Sequence, residues 1–168
     1  GVVGFKPTYA SLSAEGVFPL SWSLDTVGPL ARSVADVRIA WSVLASRDAE
    51  PRQTTNLQGF RIGLPGPFFT DNVQPGVRDA VVSATDVLRS LGAEVIETPW
   101  NEAAAARAIG FLINRAETAT VHEALARAEP EQFAKYNPDL RLRVAAGGTL
   151  SSNLYVNSLR KRAAVRDS

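Results

Sequence analysis

Apolar positions recur along this chain in two rhythms, and the switches between them mark the elements. Val2, Val3 and Phe5 form a short run of β-formers that Pro7 ends, because proline has no N–H to give to a ladder. The stretch after it, through Gly16-Val17-Phe18-Pro19-Leu20 and Ser23-Leu24-Asp25 to Gly28-Pro29, shows neither rhythm and reads as an irregular loop. Within it, Asp25 is a residue type whose carboxylate bonds a backbone N–H two residues on. Gly28 is free to take a positive φ, and Pro29 fixes φ behind it. Ser33 with Asp36 three residues later is a variant capping box that opens a helix. Val34, Val37, Trp41 and Leu44 then repeat at helical spacing, predicting an amphipathic helix over residues 33–45. Residues 47–58 are polar, contain Pro51 and read as an exposed loop.

The middle of the chain alternates. Phe60-Arg61-Ile62-Gly63-Leu64 predicts a strand closed by Pro65, with Gly66-Pro67 prolonging the break and Phe68-Phe69 forming a short apolar patch. Pro75 suits the first turn of a helix. Val77, Ala80, Val81, Ala84, Val87, Leu88 and Leu91 mark one face of that helix, and Gly92 supplies a left-handed stop. Residues 94–98 predict the next strand. Strand, helix and strand in this order form a βαβ unit, so the two strands are expected to run parallel in one sheet.

From Glu102 the sequence becomes Ala-rich and predicts a long helix over 102–128, with Gly110 as a place to bend. Glu129-Pro130 interrupts it. Phe133, Tyr136 and Leu140 line a short helix or turn broken by Asn137-Pro138. Residues 141–146 read as helical up to Gly147-Gly148, and 151–166 as a last helix with Leu154, Tyr155 and Leu159 turned inward. There are no repeats, no low-complexity tract and no linker, so the chain reads as one domain without an internal boundary.

Composition narrows the function classes. The 168 residues carry 18 basic and 17 acidic side chains for a net charge of +1, which gives no electrostatic basis for binding nucleic acid or an anionic membrane. With no cysteine, disulfides, thiolate metal sites and a cysteine nucleophile are excluded. No apolar run approaches the roughly 20 residues of a membrane span. A cytoplasmic location is the default expectation. Methionine is absent even at position 1, and the chain opens in a strand-like run and stops in a helix-like one, so it reads as a fragment of a longer protein.

Taken in order and spacing, Gly1-Val2-Val3-Gly4, Lys6-Pro7-Thr8, Gly16-Val17, Pro19-Leu20, Ser23-Leu24-Asp25, Gly28-Pro29, Ala31-Arg32-Ser33 and Asp36 resemble the amidase signature family of serine hydrolases that cleave carboxamides. The likeness is dense to Asp36, moderate to Thr98 and thin beyond. One departure is Ala10, where family members often have glycine. The resemblance implies an α/β fold, part of a mixed-sheet α/β/α architecture with a helix-rich C-terminal portion. It implies a Ser–cis-Ser–Lys mechanism through an acyl-enzyme, in which a neutral amine takes the nucleophile's proton through a bridging serine. All three catalytic residues would lie upstream of Gly1, so this chain alone is expected to be inactive. No cofactor is implied. The expected partner is a small-molecule amide in the parent enzyme.

The candidate residues follow from that placement. Gly4, Lys6, Pro7, Ser23, Asp25, Gly28, Pro29 and Arg32 are expected to support the loop behind the nucleophile. Lys6 would serve as a partly buried structural cation, Asp25 would bond backbone N–H groups, and Arg32 would form a fork to a carboxylate or carbonyls. A catalytic acid at Asp25 and an anion clamp at Arg32 are the alternative. Glu117 and His122 are expected to pack or line the substrate pocket; a lone histidine without cysteine offers too few ligands for a metal. Arg143 reads either as a solvated helix-face cation or as a holder of a substrate carboxylate. Two alternatives to a general amidase remain: a glutaminase subunit of a tRNA-dependent amidotransferase, and a non-catalytic scaffold that kept the fold. A missing N-terminal half would expose apolar surface, so self-association of this chain is expected.

Overall fold

Side-chain chemistry at the element ends explains most of the backbone. The computed structural model describes residues 1–47 and 56–167, so of the polar loop expected over 47–58, residues 48–55 lie outside the described residues. Contacts gather the chain into two compact units, one of residues 1–50 and 108–168 and one of residues 51–107.

The first unit begins with β1 (Val3–Gly4), paired antiparallel with β2 (Leu30–Ala31) so that Val3 faces Ala31 and Gly4 faces Leu30. The Phe5 N–H extends the ladder to the Pro29 carbonyl at 3.0 Å. Strand β2 is an addition to the expected strand, loop and helix. It also corrects the reason for Gly28, whose φ is not positive. A Cβ there would lie 2.1 Å from the Phe5 carbonyl oxygen, so glycine is needed for the close approach of two backbones.

Helix α1 (Val34–Ala45) starts as expected. The Ser33 hydroxyl oxygen accepts from the Asp36 N–H at 3.1 Å and donates to the Asp36 carboxylate at 2.8 Å. Its apolar stripe is narrower than its spacing suggested. Val37 is buried and Trp41 meets Phe5 edge-on at 5.4 Å, but Val34 and Leu44 are exposed.

The second unit holds β3 (Arg61–Leu64), a short 3-10 turn (Pro67–Phe69), α2 (Pro75–Ser90) and β4 (Glu94–Glu97). The two strands are parallel, with Arg61 opposite Glu94 and Leu64 opposite Glu97, as the βαβ reading required. Pro75 occupies the first turn of α2, and Gly92 follows its end at φ +96°. The expected apolar face of α2 is not a core. Val77, Val81, Val87 and Leu91 are exposed, while Thr85 is buried. A two-stranded sheet is too narrow to cover a 16-residue helix.

Helix α3 (Ala103–Ala128) begins in the second unit, passes through Gly110 without interruption and carries the core of the first. It is followed by α4 (Pro130–Ala134), α5 (Pro138–Gly148) and α6 (Ser152–Arg166). Asn137-Pro138, expected only to break helix, opens α5. Proline needs no N–H partner in a first turn, and the Asn137 side chain accepts from the Asp139 N–H at 2.8 Å. Ser151 caps α6 in the same way, at 3.2 Å from the Leu154 N–H. On α6, Ser158 is buried and Leu154 exposed, the reverse of the expectation for Leu154. Ile109, Ile113 and Ala119 of α3 and Val144 of α5 are buried. A Cβ on Gly147 would lie 2.1 Å from the Arg115 carbonyl oxygen, so α5 rests directly on α3 there.

Candidate functional site

The irregular loop between Leu20 and Asp25 leaves Leu20 and Trp22 exposed, and polar groups fold it. Asp25 reaches back along the chain, accepting from the Leu20 and Ser21 N–H groups at 2.9 and 3.0 Å. The Leu24 and Asp25 N–H groups both return to the Ser21 carbonyl at 2.8 Å, closing a tight turn. Asp25 therefore bonds backbone N–H groups as expected, at residues before it rather than two positions after it.

This turn is docked on α3 through Glu117. The Glu117 side chain is fully buried, and so is Ser21. One carboxylate oxygen accepts from the Ser21 hydroxyl at 2.6 Å and the Ser23 N–H at 3.1 Å; the other accepts from the Tyr155 hydroxyl of α6 at 2.8 Å. Next to Glu117, the Thr118 hydroxyl donates to the Leu20 carbonyl at 3.1 Å. From α6, Arg162 donates to both the carbonyl and the hydroxyl oxygen of Ser23 at 3.0 and 2.9 Å. Ser23 is thus held from two helices at once.

Burial by itself would raise the Glu117 carboxyl above its ordinary range. The hydrogen bonds from Ser21, Ser23 and Tyr155 together outweigh burial and hold it below that range, so the group stays ionised. The Tyr155 hydroxyl is pushed up, first by burial and then by its bond to Glu117 and that residue's charge, with Arg162 opposing. His122 lies one turn further along α3 and is 4% exposed. Its ring is tilted against Phe18 at 5.6 Å and meets Tyr136 edge-on at 5.5 Å, and burial lowers its pKa. Its Nδ1 finds no hydrogen-bond partner among the described residues.

Glu117 and Tyr155 line a cleft of about 670 Å³ whose other walls include Trp22, Ala119, Val144 and Gly147, with Glu123 and Arg127 forming an ion pair at its edge. Glu117 thus borders this cleft, and His122 packs against Phe18 and Tyr136. The expected loop supports divide. Pro7 and Pro29 are buried, and Gly4 sits in β1. Lys6 is exposed rather than partly buried and donates to the carbonyl of neighbouring Pro7 at 2.8 Å. It lines a second cleft of about 440 Å³ with Tyr9, Ser23, Arg162 and Arg166. Arg32 is exposed and makes no hydrogen bond or ion pair among the described residues, so its expected fork is absent there. Arg143 pairs with Asp139 one turn back on α5, at 2.7 Å through Nε, and borders a separate hollow beside Arg115. The structure thus joins Ser23, Asp25 and Glu117 and leaves Arg32 and Arg143 apart from them.

Ser21, Thr118, Tyr155 and Arg162 complete this cluster, and sequence reasoning missed their part in it. Helical spacing turns Tyr155 inward, but nothing local marks the other three. Among the described residues no serine hydroxyl bonds to His122 or to a lysine, and no three His, Asp or Glu side chains converge in a way that would hold a metal ion. No helix among them is long and apolar enough to cross a membrane. The cluster ties the loop to α3 and α6; it contains no accessible nucleophile paired with a base.

The profile of the Amidase family matches residues 1–164. An amidase of Pseudomonas putida is 33% identical, the match covering 95% of this chain and 37% of the relative. A glutamyl-tRNA(Gln) amidotransferase subunit from Roseiflexus castenholzii is 31% identical over 97% of this chain and 39% of its own length. A crystal structure of an amidase superposes with a TM-score of 0.84 at 32% identity, covering 99% of this chain and 37% of that one. The chain thus spans less than two-fifths of the length of these relatives.

Proposed function

The chain belongs to the amidase family, and from that premise we propose that the protein carrying it hydrolyses a carboxamide to a carboxylate and ammonia. A serine hydroxyl attacks the amide carbonyl, ammonia leaves with the proton returned by the base, and water cleaves the acyl ester. The serine, its bridging serine and the lysine base are contributed by positions preceding Gly1. In this reading the present chain is one partial domain of a cytoplasmic enzyme. It supplies the loop behind the nucleophile, from Gly4, Lys6 and Pro7 through Ser23 and Asp25 to Gly28, Pro29 and Arg32, together with helices that wall the acyl pocket. The chemistry calls on no cofactor or metal. Exposed apolar side chains such as Phe18, Val43 and Val81 would be covered by the rest of the parent or by a second copy.

The observation carrying the proposal is the family match across residues 1–164, nearly the full chain. The test compares ammonia release from a panel of carboxamides, glutamine included, by the full-length protein and by this chain alone. Release by the full-length protein and none by this chain is expected. Release by this chain would overturn the upstream placement of the nucleophile. Silence of the full-length protein on every amide would overturn the amidase reading and favour a scaffold.

A second reading rests on the 31% identity to the amidotransferase component. There the protein would be a glutaminase working with partner subunits on a tRNA-bound acceptor. Glutamine as the sole substrate, with nitrogen recovered in the acceptor rather than as free ammonia, would select it.

A further inference from the structure

We propose that Glu117 is a positioning residue: a buried anion on α3 that fixes the Leu20–Asp25 turn and, through it, the reacting geometry of the parent enzyme. The inference rests on the amidase reading for its functional half and on this chain alone for its structural half.

The argument starts from cost. A carboxylate with no exposed surface is expensive to bury, and such groups persist where several donors converge on them. Apolar packing at this position on α3 would have been simpler, since Ile113 one turn earlier is equally buried. What the anion provides is acceptors of fixed direction. Its oxygens take three donors from three places in the chain: the Ser21 hydroxyl, the Ser23 N–H and the Tyr155 hydroxyl. Two of these lie on the turn, 96 and 94 residues away in sequence. The third, Tyr155, belongs to the helix whose Arg162 grips Ser23 from its carbonyl and hydroxyl. Thr118 adds a grip on Leu20, and Asp25 ties Leu20 and Ser21 from within. Every polar group of Ser23 is therefore engaged by α3 or α6. Removing Glu117 leaves the Ser21 hydroxyl and the Ser23 N–H without acceptors at a buried place.

Two variants separate positioning from bulk stability. Glu117→Gln keeps shape and volume but removes the charge: with its oxygen toward the turn and its NH₂ toward the Tyr155 hydroxyl, it leaves the Ser21 and Ser23 bonds without charge assistance and so weaker. Ser21→Ala removes one of those bonds from the other side. On this chain, hydrogen exchange of Glu117→Gln should show loss of protection confined to the amides of residues 20–25, with α1 and the body of α3 unchanged. In the full-length enzyme, kcat of Glu117→Gln should fall about tenfold or more, with KM within about twofold, well below the unfolding temperature. The Glu117→Gln/Ser21→Ala double variant should lose no more kcat than Glu117→Gln alone, because both changes act through one contact.

Unchanged exchange at residues 20–25 overturns the structural half. Loosened exchange with wild-type kcat, or losses that simply multiply in the double variant, overturns the functional half. If the wild-type full-length protein hydrolyses no amide while exchange behaves as expected, the amidase reading fails and the clamp stands as a structural device.

Discussion

The two units of this chain use similar kinds of residue to opposite ends. In residues 56–107 the backbone follows the local pattern closely: β3, α2 and β4 fall where periodicity puts them, and the parallel register is regular. Yet little is buried there, and the valines of α2 face outward. In the unit built on α3 the loop has no periodicity, but polar contacts tie its Leu20–Asp25 turn to α3 and α6. Ile113, Glu117, Thr118 and Ser21 are its most deeply enclosed side chains, and three of the four are polar. Regular elements therefore do not need a core beneath them to be recognisable, and a tightly held loop does not need a regular pattern. Function is better sought where polar groups have been buried at a cost than where the secondary structure is cleanest.

The largest effect that would test this contrast is a pair of truncations. Ile113→Ala in the α3 unit should destabilise the chain by about 3 kcal/mol, since it removes a fully buried side chain and leaves a cavity. Val81→Ala on α2, where the side chain is 53% exposed, should change stability by less than about 0.5 kcal/mol. Urea midpoints at low protein concentration measure both. A comparable loss at Val81 would mean that the α2 face is covered in solution. A loss that grows with protein concentration would identify the cover as a second copy.

A smaller effect separates the units by pH, because the shifted groups Glu117, His122 and Tyr155 all belong to the α3 unit. His122 is lowered from its ordinary 6.5, so the unfolded chain takes up the proton first. Its contribution to stability is complete above 6.5 and is lost as pH falls from there toward the folded value. Glu117 is lowered from 4.5, and its contribution is lost in turn as pH falls below that point. Tyr155 is raised from 10.0, so its contribution is present below 10.0 and lost as pH rises beyond it. The urea midpoint should therefore decline in two stages on the acid side. His122→Leu should remove the first stage and leave the second. A single-stage acid profile in the wild-type chain would show that His122 is not held neutral by burial.

How much of this is legible follows from the range of the interactions. Ser33 with Asp36 is set within one helix turn, and Pro75, Gly92 and the strands around α2 within one βαβ unit, so the sequence displays them directly. Strand β2 is not visible there, because two residues after a proline become a strand only when β1 lies beside them. The Glu117 cluster is half visible. The family pattern draws attention to Ser23, Asp25, Glu117 and His122, but their meeting depends on contacts such as Arg162 to Ser23, 139 residues apart. Arg32 shows the converse: a residue type capable of a forked bond does not make one unless the fold brings an acceptor, whereas Arg143 pairs along its own helix with Asp139, as a helix-face cation does.

The smallest effect concerns Ala10, where the family resemblance suggests that the turn after Thr8 has changed shape. Ala10 sits at φ 60°, in the left-handed region that glycine tolerates, within a turn closed by the Ser11 N–H and hydroxyl on the Thr8 carbonyl at 3.1 and 2.6 Å. An L-residue with a Cβ there bears about 1–2 kcal/mol of local strain. Glycine would relieve it but would also lose more backbone freedom on folding, which returns part of the gain. Ala10→Gly should therefore stabilise the chain by about 0.5–1 kcal/mol, read as a rise of about 2 °C in Tm. Because the turn belongs to the loop unit and lies outside the Glu117 cluster, the gain should be unchanged in a Glu117→Gln background. A loss of stability instead would mean that the turn in solution has already left the left-handed region, and that the departure at position 10 reshaped the loop.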